Sequence, residues 1–251
     1  MTQSRGHRIR LRLRISDFLA RKFSKLLAKT LDRYHASFAT RIEQQKFLTV
    51  LQQHATSDSA QYVYEHLAGA LLFPTREELW DHAVDQVRGM GNFAEFGVHE
   101  GHSIRHLATK IKDKGWSIYG FDSFEGLRED WSGTTMRKGY FSVAGSLPPV
   151  PDNVTLIKGW FDETLPEFMR LHSEDFAFLH IDVDTYEAAR TVLTLVGNRI
   201  KPGTVIVFDE YHNYPGWRHG EWKAWKEFVE KNGIRYRYIG FSTAQVALLV
   251  H

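Results

Sequence analysis

Phe93-Ala94-Glu95-Phe96-Gly97-Val98-His99-Glu100-Gly101-His102-Ser103 is an apolar run that ends in an acid and two glycines and opens directly into a helical pattern. That order predicts a strand, a tight loop and a helix start, the unit from which open α/β sheets are built. Ligands of such sheets sit beyond the carboxyl ends of strands, where glycines let them approach the backbone at the positive end of the next helix. The spacing selects the ligand. A pyrophosphate fingerprint reads G-x-G-x-x-G, whereas this stretch reads Glu95-x-Gly97-x-x-x-Gly101, with a carboxylate where a dinucleotide fold has its first glycine. An acid there repels phosphate and suits an ammonium or sulfonium group beside a ribose, and S-adenosylmethionine (SAM) carries both. An ordinary strand-to-helix turn with a surface glutamate is the alternative that this stretch alone leaves open.

Downstream, a helical pattern from about His102 to Lys112 ends near Gly115, and Ser117 to Phe121 reads as a second strand with Asp122 at its tip. An acid at that place accepts hydrogen bonds from the two hydroxyls of a ribose. Residues 125–151 form a long stretch with glycine, proline, Trp131, Tyr140 and Phe141, the composition of a lid or binding loop. Val154 to Ile157 is a third strand, and Lys158-Gly159-Trp160-Phe161 at its tip pairs a small residue with a flat aromatic that suits adenine or a core position.

The strongest chemical signal follows. Phe176 to Ile181 is an apolar strand that delivers Asp182 and Asp184, and Thr185 opens a helix to about Ile200. After Pro202-Gly203, Thr204 to Phe208 delivers Asp209 and Glu210. Parallel neighbours lie about 5 Å apart, so these acids converge on one edge. Like charges that close are costly unless neutralised, which an oxygen-liking divalent cation such as Mg²⁺ does. Tyr211 to Gly220 is an aromatic loop, Glu221 to Lys231 a helix, and Tyr236 to Phe241 and Gln245 to Val250 are strands at hairpin spacing. The fold class is α/β: a Rossmann-like sheet of seven strands, five parallel ones closed by an antiparallel pair, with helices on both faces.

Upstream, Thr75 and Glu78 form a capping box for a helix running to about Val87 that could cover the ligand. A short helix covers Gln61 to Leu72, and polar Gln53 to Ala60 reads as a linker. Ser16 or Asp17 caps a long amphipathic helix through Leu19, Phe23, Leu26, Leu27, Leu31, Tyr34 and Phe38. From Arg8 to Ile15 arginines alternate with Ile and Leu, which predicts an extended segment. Two parts result: a basic arm at 1–60 and a catalytic domain at 61–251, with residues 61–90 as a helical cover.

With 251 residues and 43% hydrophobic content the chain can bury one sizeable core plus an appendage. There is no cysteine, which excludes disulfides and thiolate metal sites. No apolar run approaches the roughly 20 residues that span a bilayer. The N-terminus lacks the apolar core of a secretory signal, so a cytoplasmic protein is expected. Residues 1–50 hold 12 Lys and Arg against 3 Asp and Glu, leaving 20 against 27 for the remainder. Such an arm suits docking on the acidic body of a second copy, hence a homo-oligomer, or peripheral contact with an anionic membrane. Nucleic acid is disfavoured, because no base-stacking aromatics lie among the arginines.

Four segments carry a resemblance: Phe93-Ala94-Glu95-Phe96-Gly97-Val98-x-x-Gly101-x-Ser103, Tyr119-Gly120-Phe121-Asp122-Ser123-Phe124-Glu125-Gly126-Leu127, Asp182-x-Asp184-x-Tyr186, and Phe208-Asp209-Glu210-Tyr211. Over roughly residues 73–251 the chain resembles the class I SAM-dependent methyltransferases of the macrocin O-methyltransferase type, which methylate sugar hydroxyls of natural products. The resemblance implies that Glu95, Gly97, Gly101 and Ser103 hold the methionine part of SAM, that Asp122 with Ser123 holds the ribose, and that Gly159 and Trp160 lie near the adenine. It maps a Mg²⁺ site onto Asp182, Asp209 and Glu210, with Glu210 standing where that family has a shorter side chain. The implied acceptor is a small-molecule hydroxyl, such as that of a sugar.

Methyl transfer from sulfonium to oxygen requires alignment of the reactants and a base for the hydroxyl proton. His212 is the first candidate base and Asp184 its rival. His99, His102 and His106 do not have the spacing of a zinc motif, since Gly101 interrupts the helix that would align them. A metal-independent methyltransferase, a nicotinamide-dependent oxidoreductase and a non-catalytic binding module are the alternative functions.

Overall fold

A computed structural model describes residues 3–251, with side chains from residue 21 onward. Helix α1 spans Gln3–His66 without interruption. No glycine or proline occurs between His7 and Ala68, so nothing in that stretch breaks a helix once begun. The expected extended segment at 8–15, the cap at Ser16 or Asp17, and the linker at 53–60 are therefore corrected: all three lie within α1. The side chains of residues 8–15 are outside the described residues. Polar composition was mistaken for a linker where a polar helical face suffices.

The chain forms two compact units, Met1–Leu51 and Gln52–His251. In the first, every side chain from 21 to 50 is exposed, Phe23, Leu27, Tyr34 and Phe38 included. In the second, the last turns of α1 are fastened by specific bonds. Asp58 takes both guanidinium donors of Arg218 at 2.8 Å, Ser59 Oγ accepts from Asn213 N at 2.8 Å, and Tyr62 hydroxyl meets that of Tyr238 at 2.7 Å.

The rest of the second unit is β1 (Leu71–Leu72), α2 (Arg76–Gln86), β2 (Asn92–Phe96), α3 (His102–Lys112), β3 (Ile118–Asp122), β4 (Val154–Lys158), α4 (Phe161–Leu171), β5 (Phe176–Ile181), α5 (Tyr186–Val196), β6 (Val205–Phe208), α6 (Glu221–Asn232), β7 (Tyr236–Phe241) and β8 (Val246–Val250). They make one sheet in the order β1-β7-β8-β6-β5-β2-β3-β4. Eight strands replace the expected seven, because residues 71–72, read as the end of a helix, pair in parallel with β7. Two residues before Pro74 are too few to show a strand period. Only β8 runs against the others; β7 pairs antiparallel with β8 and so is parallel to the rest.

Thr75 caps α2 as its sequence predicts, its hydroxyl accepting from Glu78 N at 3.2 Å. One apolar layer lies under α2 and α3, with Trp80, Val84, Ile104 and Leu107; the opposite layer, under α4, α5 and α6, holds Phe168, Val192, Leu193 and Trp225. Register then positions the site. Phe96 pairs with Phe121 on one side and Ile181 on the other, and Ile181 pairs with Phe208. The residues that follow each, Gly97, Asp122, Asp182 and Asp209, therefore leave the sheet along one rim. Among the described residues no helix is long and apolar enough to cross a membrane.

Candidate active site

At the tip of β2 the chain turns at Gly97 with φ +89°, and a Cβ there would lie 1.6 Å from the Asp182 carbonyl oxygen. Only glycine lets β2 and β5 end this close together. Asp122 then fixes the loop: one carboxylate oxygen accepts from Val98 N at 2.9 Å and His99 N at 2.7 Å, the other from Phe124 N at 2.7 Å. Two carboxylate oxygens have about four acceptor positions, so capacity for a ligand hydroxyl remains.

The tips of β5 and β6 bring the acids together as their sequence positions require. Carboxylate oxygens of Asp182, Asp184 and Glu210 all lie within 4.8 Å of one another. Burial first, and then the charges of Asp209 and Asp184, push Asp182 well up; burial, Asp209 and Asp182 do the same to Glu210. Asp184 is pushed up to about 7 by burial, Asp209 and Asp122. Glu210 Oε2 is buried with no hydrogen-bond partner among the described residues. Asp209 behaves differently. Burial opposes its ionisation, but His180 and then Arg76 outweigh it and hold the carboxyl below the usual range. His180 Nε2 stands 3.7 Å from Asp209 Oδ1, and Arg76 Nη1 3.7 Å from Oδ2.

These elements face one cavity of about 730 Å³, within the roughly 300–1,000 Å³ usual for small-molecule sites. Its wall includes Gly97, Ser103, Asp122, Ser123, Gly159 and Trp160 from the expected cofactor set, and all four acids Asp182, Asp184, Asp209 and Glu210. Glu95 and Gly101 are not on it. Glu95 is wholly buried, accepting from Ser103 Oγ at 2.9 Å and facing His180 Nδ1 at 3.0 Å. Gly101 opens α3 with φ +77° against Arg105 and Pro148. His212 also lies off the wall, buried, with both ring nitrogens unpartnered among the described residues. His102 and His106 pair with Glu77 and Asp81.

Residues 94–211 match a family described as a methyltransferase domain. That stretch of the chain is thus similar to a methyltransferase domain. Solved structures share the methyltransferase fold. The calicheamicin methyltransferase CalS11 aligns at TM-score 0.61 and 24% identity, and the O-methyltransferase NovP at 0.54 and 22%. A structure of CalS11 without ligand, described as a TDP-rhamnose 3'-O-methyltransferase, aligns at 0.52 and 22%. Each alignment covers 69% of this chain and 78% of the other. A comparison with curated proteins found no match.

Three side chains at or behind this rim were not singled out by their sequence. His180 is the one polar residue in the otherwise apolar β5, a signal that was there to be used. Arg76, on α2, reaches the cavity and stacks over Trp80 at 5.2 Å, and nothing in its spacing marked it. Glu221, in the first turn of α6, looked like an ordinary helix-start acid but is fully buried.

His212 is expected to make the fold acid-sensitive. Burial pushes its imidazole down to about 4, whereas the unfolded chain titrates near 6.5. Between those values the unfolded state binds the extra proton, so stability rises with pH there and falls as pH drops from 6.5 towards 4, by about 1.4 kcal/mol per unit at most. In denaturant titrations at pH 7 and pH 5, His212→Phe is expected to shed this part of the acid loss; an unchanged pH slope would show that His212 does not carry it.

Proposed function

We propose that this chain transfers the methyl group of SAM to a hydroxyl of a sugar or glycosylated small molecule, assisted by a divalent cation such as Mg²⁺. The observation that carries the reading is that the Gly97–Asp122 loop and the uncompensated group Asp182, Asp184 and Glu210 face the same cavity. The name of one neighbour, a TDP-rhamnose 3'-O-methyltransferase, points to the same acceptor chemistry.

The residues present fit a hard, oxygen-liking ion: carboxylates in mutual reach, Asp184 buried and Asp182 and Glu210 half-buried, with Glu210 Oε2 unpartnered among the described residues. Asp182 and Glu210 would hold it. Asp209, a ligand by resemblance, lines the same cavity within reach of Asp182 and also faces His180 and Arg76. A bound cation lowers the pKa of a hydroxyl that contacts it. Asp184 faces the cavity and takes the hydroxyl proton, a role that His212, off the wall, is not placed to fill. Asp122 and the Val98 and His99 amides hold the loop against which SAM lies, and Trp160, under the Arg128 guanidinium at 4.9 Å, offers its face to the adenine. Trp131 and Phe141 on the long loop line the cavity and would face the acceptor.

Incubation with methyl-labelled SAM and a panel of nucleotide sugars and glycosides, with and without chelator, tests the whole reading. Label should enter a sugar hydroxyl, fall at least about 10-fold with chelator, and return with Mg²⁺. Asp182→Asn should cost roughly 100-fold in turnover while SAM still binds. Label in a non-sugar acceptor, or full activity in chelator, counts against the respective part.

We also read the methyltransferase as a cytoplasmic homo-oligomer whose arm meets a second copy. The exposed apolar residues of the arm and the opposite charge of the body support this. Deleting residues 1–50 should lower the mass in solution; an unchanged mass removes the idea.

A further inference from the structure

The acids at the tips of β5 and β6 stand on two separate loops, and convergence within 4.8 Å requires those loops to keep one register. Strand pairing ends at Ile181 and Phe208, so it does not extend to Asp184 or Glu210. Asp184 has φ +64°, a left-handed backbone that a non-glycine residue keeps only when its surroundings hold it.

One side chain touches both loops. Glu221 Oε1 accepts from Val183 N at 2.9 Å and Asp184 N at 3.2 Å, and Oε2 accepts from Glu210 N at 3.2 Å. The carboxylate is fully buried and makes no bond to its own helix among the described residues. The start of α6 lies against the tip of β5: a Cβ on Gly220 would lie 3.6 Å from the Asp184 carbonyl oxygen. A residue with two acceptor oxygens, bonded to three amides on two strand tips, is a clamp across the gap between them.

We propose that Glu221 is a positioning residue, clamping the tips of β5 and β6 so that Asp182 and Glu210 converge on a divalent cation with Asp184 beside them. This rests on the reading of those acids as a cation site. Glutamine in its place has a single acceptor oxygen, which can serve Val183 and Asp184 or Glu210 but not both loops.

The test uses the full chain, Mn²⁺ as probe and electron paramagnetic resonance to read binding. Glu221→Gln is expected to weaken Mn²⁺ about 10- to 100-fold, the usual effect of losing a group that orients metal ligands, with SAM affinity unchanged. Val229→Ala, buried on the same helix but away from the tips, controls for lost stability and should leave Mn²⁺ affinity alone. Wild-type Mn²⁺ affinity in the glutamine variant, or an equal loss in Val229→Ala, overturns the proposal. Should the wild-type chain bind no Mn²⁺, the cation reading fails and amide hydrogen exchange decides the clamp. Faster exchange confined to residues 183, 184 and 210 in Glu221→Gln upholds it, and unchanged exchange there overturns it.

Discussion

Gly97→Ala is expected to cost on the order of 4 kcal/mol or more, a fall in Tm of roughly 10 °C for a chain of this size. Two causes add. The residue sits at φ +89°, where an L side chain is strained, and the new methyl would overlap the Asp182 carbonyl oxygen at 1.6 Å. That oxygen belongs to the backbone, which cannot swing aside as a side-chain end can, so β2 and β5 must part. Gly115 separates the two causes: its φ is +70° but nothing lies within 4 Å of its Cβ position. Gly115→Ala should therefore carry only the conformational cost, about 1 kcal/mol. Thermal melts of both variants decide the matter, and equal losses would show that the close approach of the two tips is not what demands glycine. Parting the tips also pulls the Val98 and His99 amides from Asp122, so SAM affinity should fall with stability.

His180→Leu is expected to lose about 3–5 kcal/mol, the cost of removing one partner from a buried ionic group. The imidazole has no exposed surface and lies between Glu95 at 3.0 Å and Asp209 at 3.7 Å, with Trp80 at its edge. Burial alone would lower its pKa, but the two carboxylates outweigh burial and hold it up at about 10. Because the folded value exceeds the unfolded one near 6.5, the stabilisation is complete below pH 6.5 and is lost as pH rises through about 10. Leucine leaves two carboxyls facing an apolar side chain. Glu95→Gln combined with His180→Leu should recover part of the loss, since the neutral amide tolerates burial better and keeps the Ser103 bond. Denaturant titration of the two single variants and the double variant measures the coupling; strictly additive losses would mean that Glu95 and His180 do not act as a pair.

The residues whose place was legible in the sequence are those positioned by local order. Gly97, Asp122, Asp182 and Asp209 each follow an apolar run of strand length, and a parallel sheet sends such residues to one rim wherever the strands lie. Glu95 belongs to the same motif yet sits one residue short of the tip, and with a side-chain period of two that residue turns into a sheet face covered by α2 and α3. Its chemistry was legible, but its direction was not. The place of His212, the expected base, was illegible for the same reason: two residues past Glu210 in sequence, it lies buried off the cavity wall.

Order along the chain by itself determined the strand succession, the glycine turn and the gathering of acids, because pattern period and chain connectivity leave few ways to build an open parallel sheet. Tertiary structure alone decided which acid is free and which is spoken for. Asp209 is claimed by His180 and Arg76, Glu95 by His180 and Ser103, and Glu221 by three amides of two other loops. Those partners come from β5, α2, α3 and the loops after β5 and β6, far apart in sequence, and the charge a buried carboxylate carries depends on which neighbours reach it.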